Sequence, residues 1–165
     1  MHHVEPNDAI RELLASRLIA TLGTLNADGS IQMTPIWYLF DPDDGRVYVG
    51  TGSGSRKVRN VRAWPRATLL VDQRDPVGHR WAAAEGTAEV IGGEAAQAIN
   101  ARIRQRYLSV AGEAAYGAWL ATADDVTIAL APIAWRAWTL SNLEALAAAK
   151  GLPAAAIPDW FLPLD

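Results

Sequence analysis

The run Gly50-Thr51-Gly52-Ser53-Gly54-Ser55-Arg56-Lys57 gathers residue types that suit one kind of chemistry, the holding of a phosphate. A phosphate is bound by backbone N–H groups, hydroxyls and cations, and this run carries all three. It is not a Walker A loop, because with Gly50 as the first glycine Ser55 stands where the second is required. It is not a dinucleotide fingerprint either: the spacing is wrong and no parallel βαβ unit surrounds it. What remains is a strand that ends in small residues and a helix that begins with Arg56 and Lys57. The start of a helix presents free N–H groups and the positive end of its dipole. Cations are unfavourable there unless an anion joins them. Thr51 and Ser55 add hydroxyls beside the two charges. The same residues also suit a capped helix with a solvated basic face.

The charge pattern around this run is uneven. Arg56, Lys57, Arg59, Arg62 and Arg66 follow one another with no acid between Gly45 and Val71, in a chain whose net charge is −3. Such a stripe suggests a local anion site, or else a solvated helix face. Net acidity and the lack of a reading motif argue against nucleic acid as a partner. Other reactive groupings are sparse. His79 stands alone in an expected loop, and His2 and His3 lack a third metal ligand, so no metal site is expected. No Ser–His–Asp or paired-carboxylate arrangement emerges from the spacing.

The elements that must position this run read as an antiparallel meander. Asn7 or Asp8 caps a first helix over 9–16, with Ile10, Leu13 and Leu14 on one face. Strands are expected over 18–25 and 31–40, joined by the turn 26–30. Pro35 inside the second strand implies an edge position or a bulge, since proline donates no ladder hydrogen bond. Further strands are expected over 46–50, 67–72 and 81–91, and from 126 to 140 with an interruption near Pro132. The helix after the glycine-rich run should span 56–63 and end before Pro65. Helical spacing of Ala95, Ala98, Ile99, Ile103 and Tyr107 predicts a helix over 94–107. Shorter helices are expected over 113–120 and 142–149, before the aromatic tail 156–165.

The 165 residues suit one domain, 1–165, and half of them are hydrophobic, enough for a packed core. The absence of cysteine excludes disulfides, thiolate metal sites and a cysteine nucleophile. The N-terminal residues lack an apolar signal core, and no stretch approaches the roughly 20 apolar residues of a membrane span. A cytoplasmic protein with no membrane association is expected. About six antiparallel strands with inserted helices point to a mainly β, closed or split barrel with flanking helices.

The segment from Val47 to Asp72, VYVGTGSGSRKVRNVRAWPRATLLVD, resembles the pyridoxamine 5′-phosphate oxidase-like superfamily of flavin and deazaflavin oxidoreductases. DGSIQMTPIWYLFD upstream and WAAAEGTAEVIGG downstream resemble further strands of that family, so the likeness runs from Leu14 to Tyr107. It implies an FMN-binding split β-barrel, six-stranded and homodimeric, with two cofactors at the dimer interface. Seven tryptophans, more than one small core needs, agree with an interface. The likeness further implies that Arg56 and Lys57 hold the cofactor phosphate, with Thr51 and Ser55 as hydroxyl donors and Asn60 one turn on. Thr34, Pro35, Ile36 and Trp37 would then line the ring system, Trp37 as an aromatic wall. Trp81, Trp135 and Trp138 suit a core or interface role. Arg136 would reach the site across the interface or remain a surface charge on an aromatic.

The implied activity is hydride transfer between FMN, or the deazaflavin coenzyme F-420, and a small-molecule substrate. The other reading on the same barrel is a non-catalytic flavin or haem binder. The vitamin-forming oxidases of the family carry an Arg-Leu-His type motif near the C-terminus. Here no histidine follows His79, which argues against pyridoxamine phosphate as the substrate.

Overall fold

The computed structural model describes residues 5–74 and 79–153. His2, His3 and the expected tail over 156–165 lie outside them. Seven strands form one antiparallel sheet: β1 (Ala20–Leu25), β2 (Ile31–Ile36), β3 (Leu39–Asp41), β4 (Arg46–Gly52), β5 (Arg66–Gln73), β6 (Arg80–Ile91) and β7 (Asp125–Thr139). Their order across the sheet is β2-β1-β5-β6-β7-β4-β3. The flanking helices are α1 (Asp8–Ala15), α2 (Arg56–Ala63), α3 (Gly93–Tyr107) and α6 (Ser141–Ala149). Between α3 and β7 lie α4 (Val110–Gly112), a π-helical turn (Glu113–Gly117) and α5 (Ala118–Thr122).

Seven strands replace the expected six because the segment 31–40 is not one strand. It breaks at Trp37–Tyr38, and its two halves run to opposite edges of the sheet. The break has a physical cause. Tyr38 is fully buried, and its hydroxyl donates to the carbonyls of Leu14 (3.0 Å) and Ser16 (3.2 Å). A side chain plugged into the core at that point turns the backbone out of β2. The sheet therefore curls, its two edges joined by a two-residue corner. The split half-barrel agrees with the expected fold.

Pro35 lies on an edge strand, as expected, but β2 pairs with β1 in regular register from Ala20↔Ile36 to Leu25↔Ile31. No bulge is needed, because an edge strand tolerates a missing donor. Pro132 does not interrupt β7 either. The register with β6 shifts at Glu85/Gly86, so the irregularity is absorbed as a bulge inside a 15-residue strand. Gly86 is required there. A Cβ on it would stand 2.1 Å from the Ala131 carbonyl oxygen.

The main core fills the curl with Leu22, Val47, Val49, Val58, Val61, Leu69, Val71, Ile128 and Leu130, closed at one end by Ile10, Leu13 and Leu14 of α1. Asn7 caps α1 by accepting from the Ile10 N–H at 3.0 Å. A second cluster, Tyr48, Ile103 and Ala129, lies under α3 on the other face of β4 and β7. The buried face of α3 is Ala96, Asn100 and Ile103. Ile99, Ile103 and Tyr107 face this cluster as expected, whereas Ala95 and Ala98 are exposed. The pattern also misses Asn100, which is buried to bond β7 and which an apolar count does not register.

Candidate functional site

The glycine-rich run leaves the end of β4 and turns into α2, as its residue types require. Ser55 is the N-cap of α2, yet its side chain makes no capping hydrogen bond, and the first turn holds no acid. The N–H groups of that turn are thus not satisfied by the cap side chain. The Lys57 ammonium reaches back to the end of β4 and donates to the Thr51 hydroxyl at 3.0 Å. Thr51 in turn donates to the Ser55 hydroxyl at 3.3 Å. Thr51, Ser55 and Lys57 therefore converge, as the sequence suggested.

Lys57 is half-buried, and burial pushes its pKa below the usual lysine value. Among the described residues no carboxylate forms an ion pair with it. A partly desolvated cation at a helix start costs free energy unless an anion joins it. Arg56, by contrast, is exposed, and it makes no hydrogen bond to another described residue. Its charge is felt by Asp28 in the β1–β2 turn. Hydrogen bonds from the Ser30 hydroxyl and N–H hold Asp28 below the usual carboxylate range, and Arg56 adds to that.

The loop is braced from outside. The Ser53 N–H donates to the Asp124 carbonyl at 2.9 Å, and the Ser53 hydroxyl bonds the Asp124 carboxylate. Arg59 donates to the Gly54 carbonyl at 2.9 Å. Next to this clamp, burial and the neighbouring Asp124 charge raise the pKa of Asp125. Asp124 and Asp28 were missed by sequence reasoning, and Arg59 was counted in the basic stripe without its brace to Gly54. Asp124 lies 71 residues from Ser53, and no local pattern links them.

Gly50 belongs to packing rather than to the cradle. A Cβ there would stand 2.7 Å from Oδ1 of Asn100, which accepts from the Thr127 hydroxyl at 2.8 Å. Gly52 and Gly54 have room for a Cβ, so they are the ones that leave backbone open to a ligand.

Asn60 is not at the cradle mouth. It is buried, and its amide nitrogen lies 3.0 Å from Thr24 Oγ1, 2.9 Å from Asn26 Oδ1 and 3.4 Å from Gln32 Oε1. The family resemblance had suggested a phosphate contact one turn on from Lys57, but its amide hydrogens are spent on the β1–β2 hairpin. Gln32 passes the chain on to the Thr34 hydroxyl at 3.3 Å. Ile36 packs against the main core, and Pro35 is exposed. The β2 edge leaves one row of backbone groups without ladder partners among the described residues.

Trp37 lies elsewhere. Its ring stacks on Tyr107, with centroids 5.1 Å apart and planes 3° from parallel. It helps line a cavity of about 130 Å³ with Gly50, Asn100, Arg104 and Asp125. Residues alternate along β4: Tyr48 faces the α3 cluster, whereas Val47 and Val49 face the main core. Gly50 thus shares the face of Trp37, and Thr51 the opposite one. Ligand pockets typically span about 300–1,000 Å³, so this cavity is small for a tricyclic ring.

Arg136 pairs with Glu85 at 2.8 Å and is mostly exposed. Trp135 packs edge-on against Phe40, and Trp138 against the exposed His79. Trp81 and Trp138 line a cavity of about 360 Å³ between α1, β6 and α6, near the opposite end of β7 from the cradle. No group of metal-ligating side chains occurs among the described residues, nor is any described helix long and apolar enough to cross a membrane.

A family model described as pyridoxamine 5′-phosphate oxidase matches residues 6–139. Among solved structures, a conserved hypothetical protein from Mycobacterium tuberculosis is 22% identical, with a TM-score of 0.70, covering 100% of this chain and 96% of that one. A protein described as an F420 reductase is 23% identical, with a TM-score of 0.59 and coverages of 76% and 94%. The haem storage protein HutZ from Vibrio cholerae is 16% identical, with a TM-score of 0.61 and coverages of 82% and 94%. These likenesses concern the fold.

Proposed function

The chain belongs to the pyridoxamine 5′-phosphate oxidase family, and from that premise we propose that it is an oxidoreductase binding FMN or the deazaflavin coenzyme F-420 through the Thr51–Lys57 cradle. The observation that carries the reading is Lys57, a half-buried ammonium at the start of α2 with a hydroxyl partner and no carboxylate among the described residues. The cradle fits a phosphate. Lys57 supplies the charge, Thr51 and Ser55 the hydroxyls, and the first turn of α2 the N–H groups. Arg56 adds an exposed second charge at the rim. The β2 edge near Thr34, Pro35 and Ile36 offers backbone groups for the polar rim of the ring. The bound ring would supply the hydride chemistry, and the protein's part is to hold and orient it against a small organic substrate.

The reading includes a homodimer. Leu25, Ile31 and Met33 form an exposed apolar patch on the outer face of β1 and β2, beside a groove of about 410 Å³ that reaches Arg66 and Glu85. Contiguous apolar surface of this kind marks interaction sites. A second copy there would enclose a ring that one chain leaves open.

The haem alternative has less support. The described histidine, His79, contacts Trp138 near the opposite end of β7 from the cradle.

The test is a cofactor soak of the purified protein followed by desalting and an absorption spectrum. A retained flavin or deazaflavin band supports the reading and separates the two cofactors. Retention of haem, or of none of the three, overturns it.

A further inference from the structure

We propose that Asn60 is a positioning residue that sets the span between the phosphate cradle and the ring-contact strand. The inference rests on the cofactor reading above and deepens it. The cradle and β2 lie on different elements, and no strand pairing connects α2 to β2. Asn60 makes the side-chain junction between them. It stands three residues after Lys57 on α2, where both are one turn apart. Its amide reaches Thr24 in β1 (3.0 Å), Asn26 at the head of the hairpin turn (2.9 Å) and Gln32 in β2 (3.4 Å). Asn26 in turn bonds Ser30 across the turn, through its N–H to the Ser30 carbonyl (2.8 Å) and its amide to the Ser30 hydroxyl (2.9 Å). Gln32 bonds Thr34.

Two features make this junction more than generic packing. Asn60 and Thr24 are both buried, so the bond between them is shielded from water. Buried polar networks rigidify what they join. The amide has two hydrogens and faces three acceptors, all of them on the β1–β2 hairpin, and none on α2 itself. The geometry is therefore that of a fastener between helix and hairpin.

A ligand that touches both elements gains from their fixed separation. Binding at one end raises the effective concentration of the other end at its own site, and the gain depends on the span being correct. Loosening the junction should remove that gain without altering either contact by itself.

The experiment compares three probes on the wild-type protein and on Asn60→Ala: inorganic phosphate, riboflavin and FMN, by calorimetry and ring fluorescence. For the deazaflavin branch, coenzyme F-420 and its phosphate-free chromophore replace the last two. The expected result is that Asn60→Ala weakens the phosphate-bearing cofactor at least tenfold. Inorganic phosphate and the phosphate-free ring should change less than threefold. Thr24→Val breaks the same junction from the sheet side while keeping volume, and should weaken the cofactor at least threefold with the same selectivity. It serves where Asn60→Ala does not fold.

A parallel loss of phosphate affinity would make Asn60 a direct phosphate contact and overturn the inference. So would an unchanged cofactor affinity in a folded variant of either kind. A wild-type protein that binds neither cofactor overturns the cofactor reading itself, and the inference with it.

Discussion

Replacing Lys57 by methionine keeps the aliphatic stem and removes the charge. The structure allows the consequence to be worked out. Lys57 is half-buried and bonds Thr51 at 3.0 Å, so it is ordered before any ligand arrives. A charge-assisted hydrogen bond from such a group to phosphate contributes about 1.5–3 kcal/mol. Lys57→Met should therefore raise the cofactor Kd by about 10- to 150-fold. Arg56 is exposed and forms no hydrogen bond to another described residue, so Arg56→Ala should cost no more than about 1 kcal/mol, roughly fivefold. Arg62, in the last turn of α2, is the proper control and should change affinity by less than about twofold. Arg59 is not a clean control, because it braces the loop through Gly54.

Stability should move the other way. Burial lowers the Lys57 pKa in the folded state, so the unfolded chain binds that proton more readily. Stability of the ligand-free protein then rises as pH climbs through the window between the lowered value and the ordinary lysine value. Below that window the charge is a cost. Lys57→Met should thus hold or raise the ligand-free melting temperature at neutral pH. Cofactor affinity of the wild type should fall as pH rises through the lowered Lys57 value. Fluorescence titrations of FMN and coenzyme F-420, with thermal melts of the ligand-free variants, read both effects. If Arg62→Ala weakens binding as much as Lys57→Met, the site is a diffuse basic patch. If Lys57→Met melts several degrees lower, the ammonium is structural.

Gly86→Ala forces a Cβ to within 2.1 Å of a backbone carbonyl oxygen. Overpacking of that kind costs about 1–3 kcal/mol, and a thermal melt should show a fall of roughly 2–12 °C. Tyr38→Phe removes the donor to Leu14 and Ser16, while the Arg106 guanidinium still serves the Leu14 carbonyl at 2.8 Å. A urea titration should therefore show a loss of about 0.5–1.5 kcal/mol and no more. Met33→Glu places a charge in the apolar patch of β1 and β2; on the proposed interface, light scattering should report a dimer for the wild type and a monomer for the variant. An unchanged dimer would move the interface to another face.

Much of the fold is legible locally. Asn7 before an apolar face begins α1, Pro65 follows the end of α2, and the turn at 26–30 joins strands that do pair. The departure in strand count has one cause. Trp37–Tyr38 reads as the middle of a strand, since both residues favour extended backbone. Only the contact of Tyr38 with carbonyls more than twenty residues away makes it a corner. The extra strand and the two edges of the sheet follow from that contact.

The site divides in the same way. The convergence of Thr51, Ser55 and Lys57 depends on residues within one loop and one helical turn, so chemical type and spacing sufficed to propose it. The destinations of Asn60, Trp37 and Gly50 depend on which elements pack against them: the β1–β2 hairpin for Asn60, Tyr107 of α3 for Trp37, Asn100 of α3 for Gly50. Periodicity tells which side of an element a residue occupies, but not what that side meets. The charge of the cradle was thus determined by the sequence alone. The span from cradle to strand was decided by tertiary packing, because a hydrogen bond between residues 36 apart forms only once the chain has folded around it.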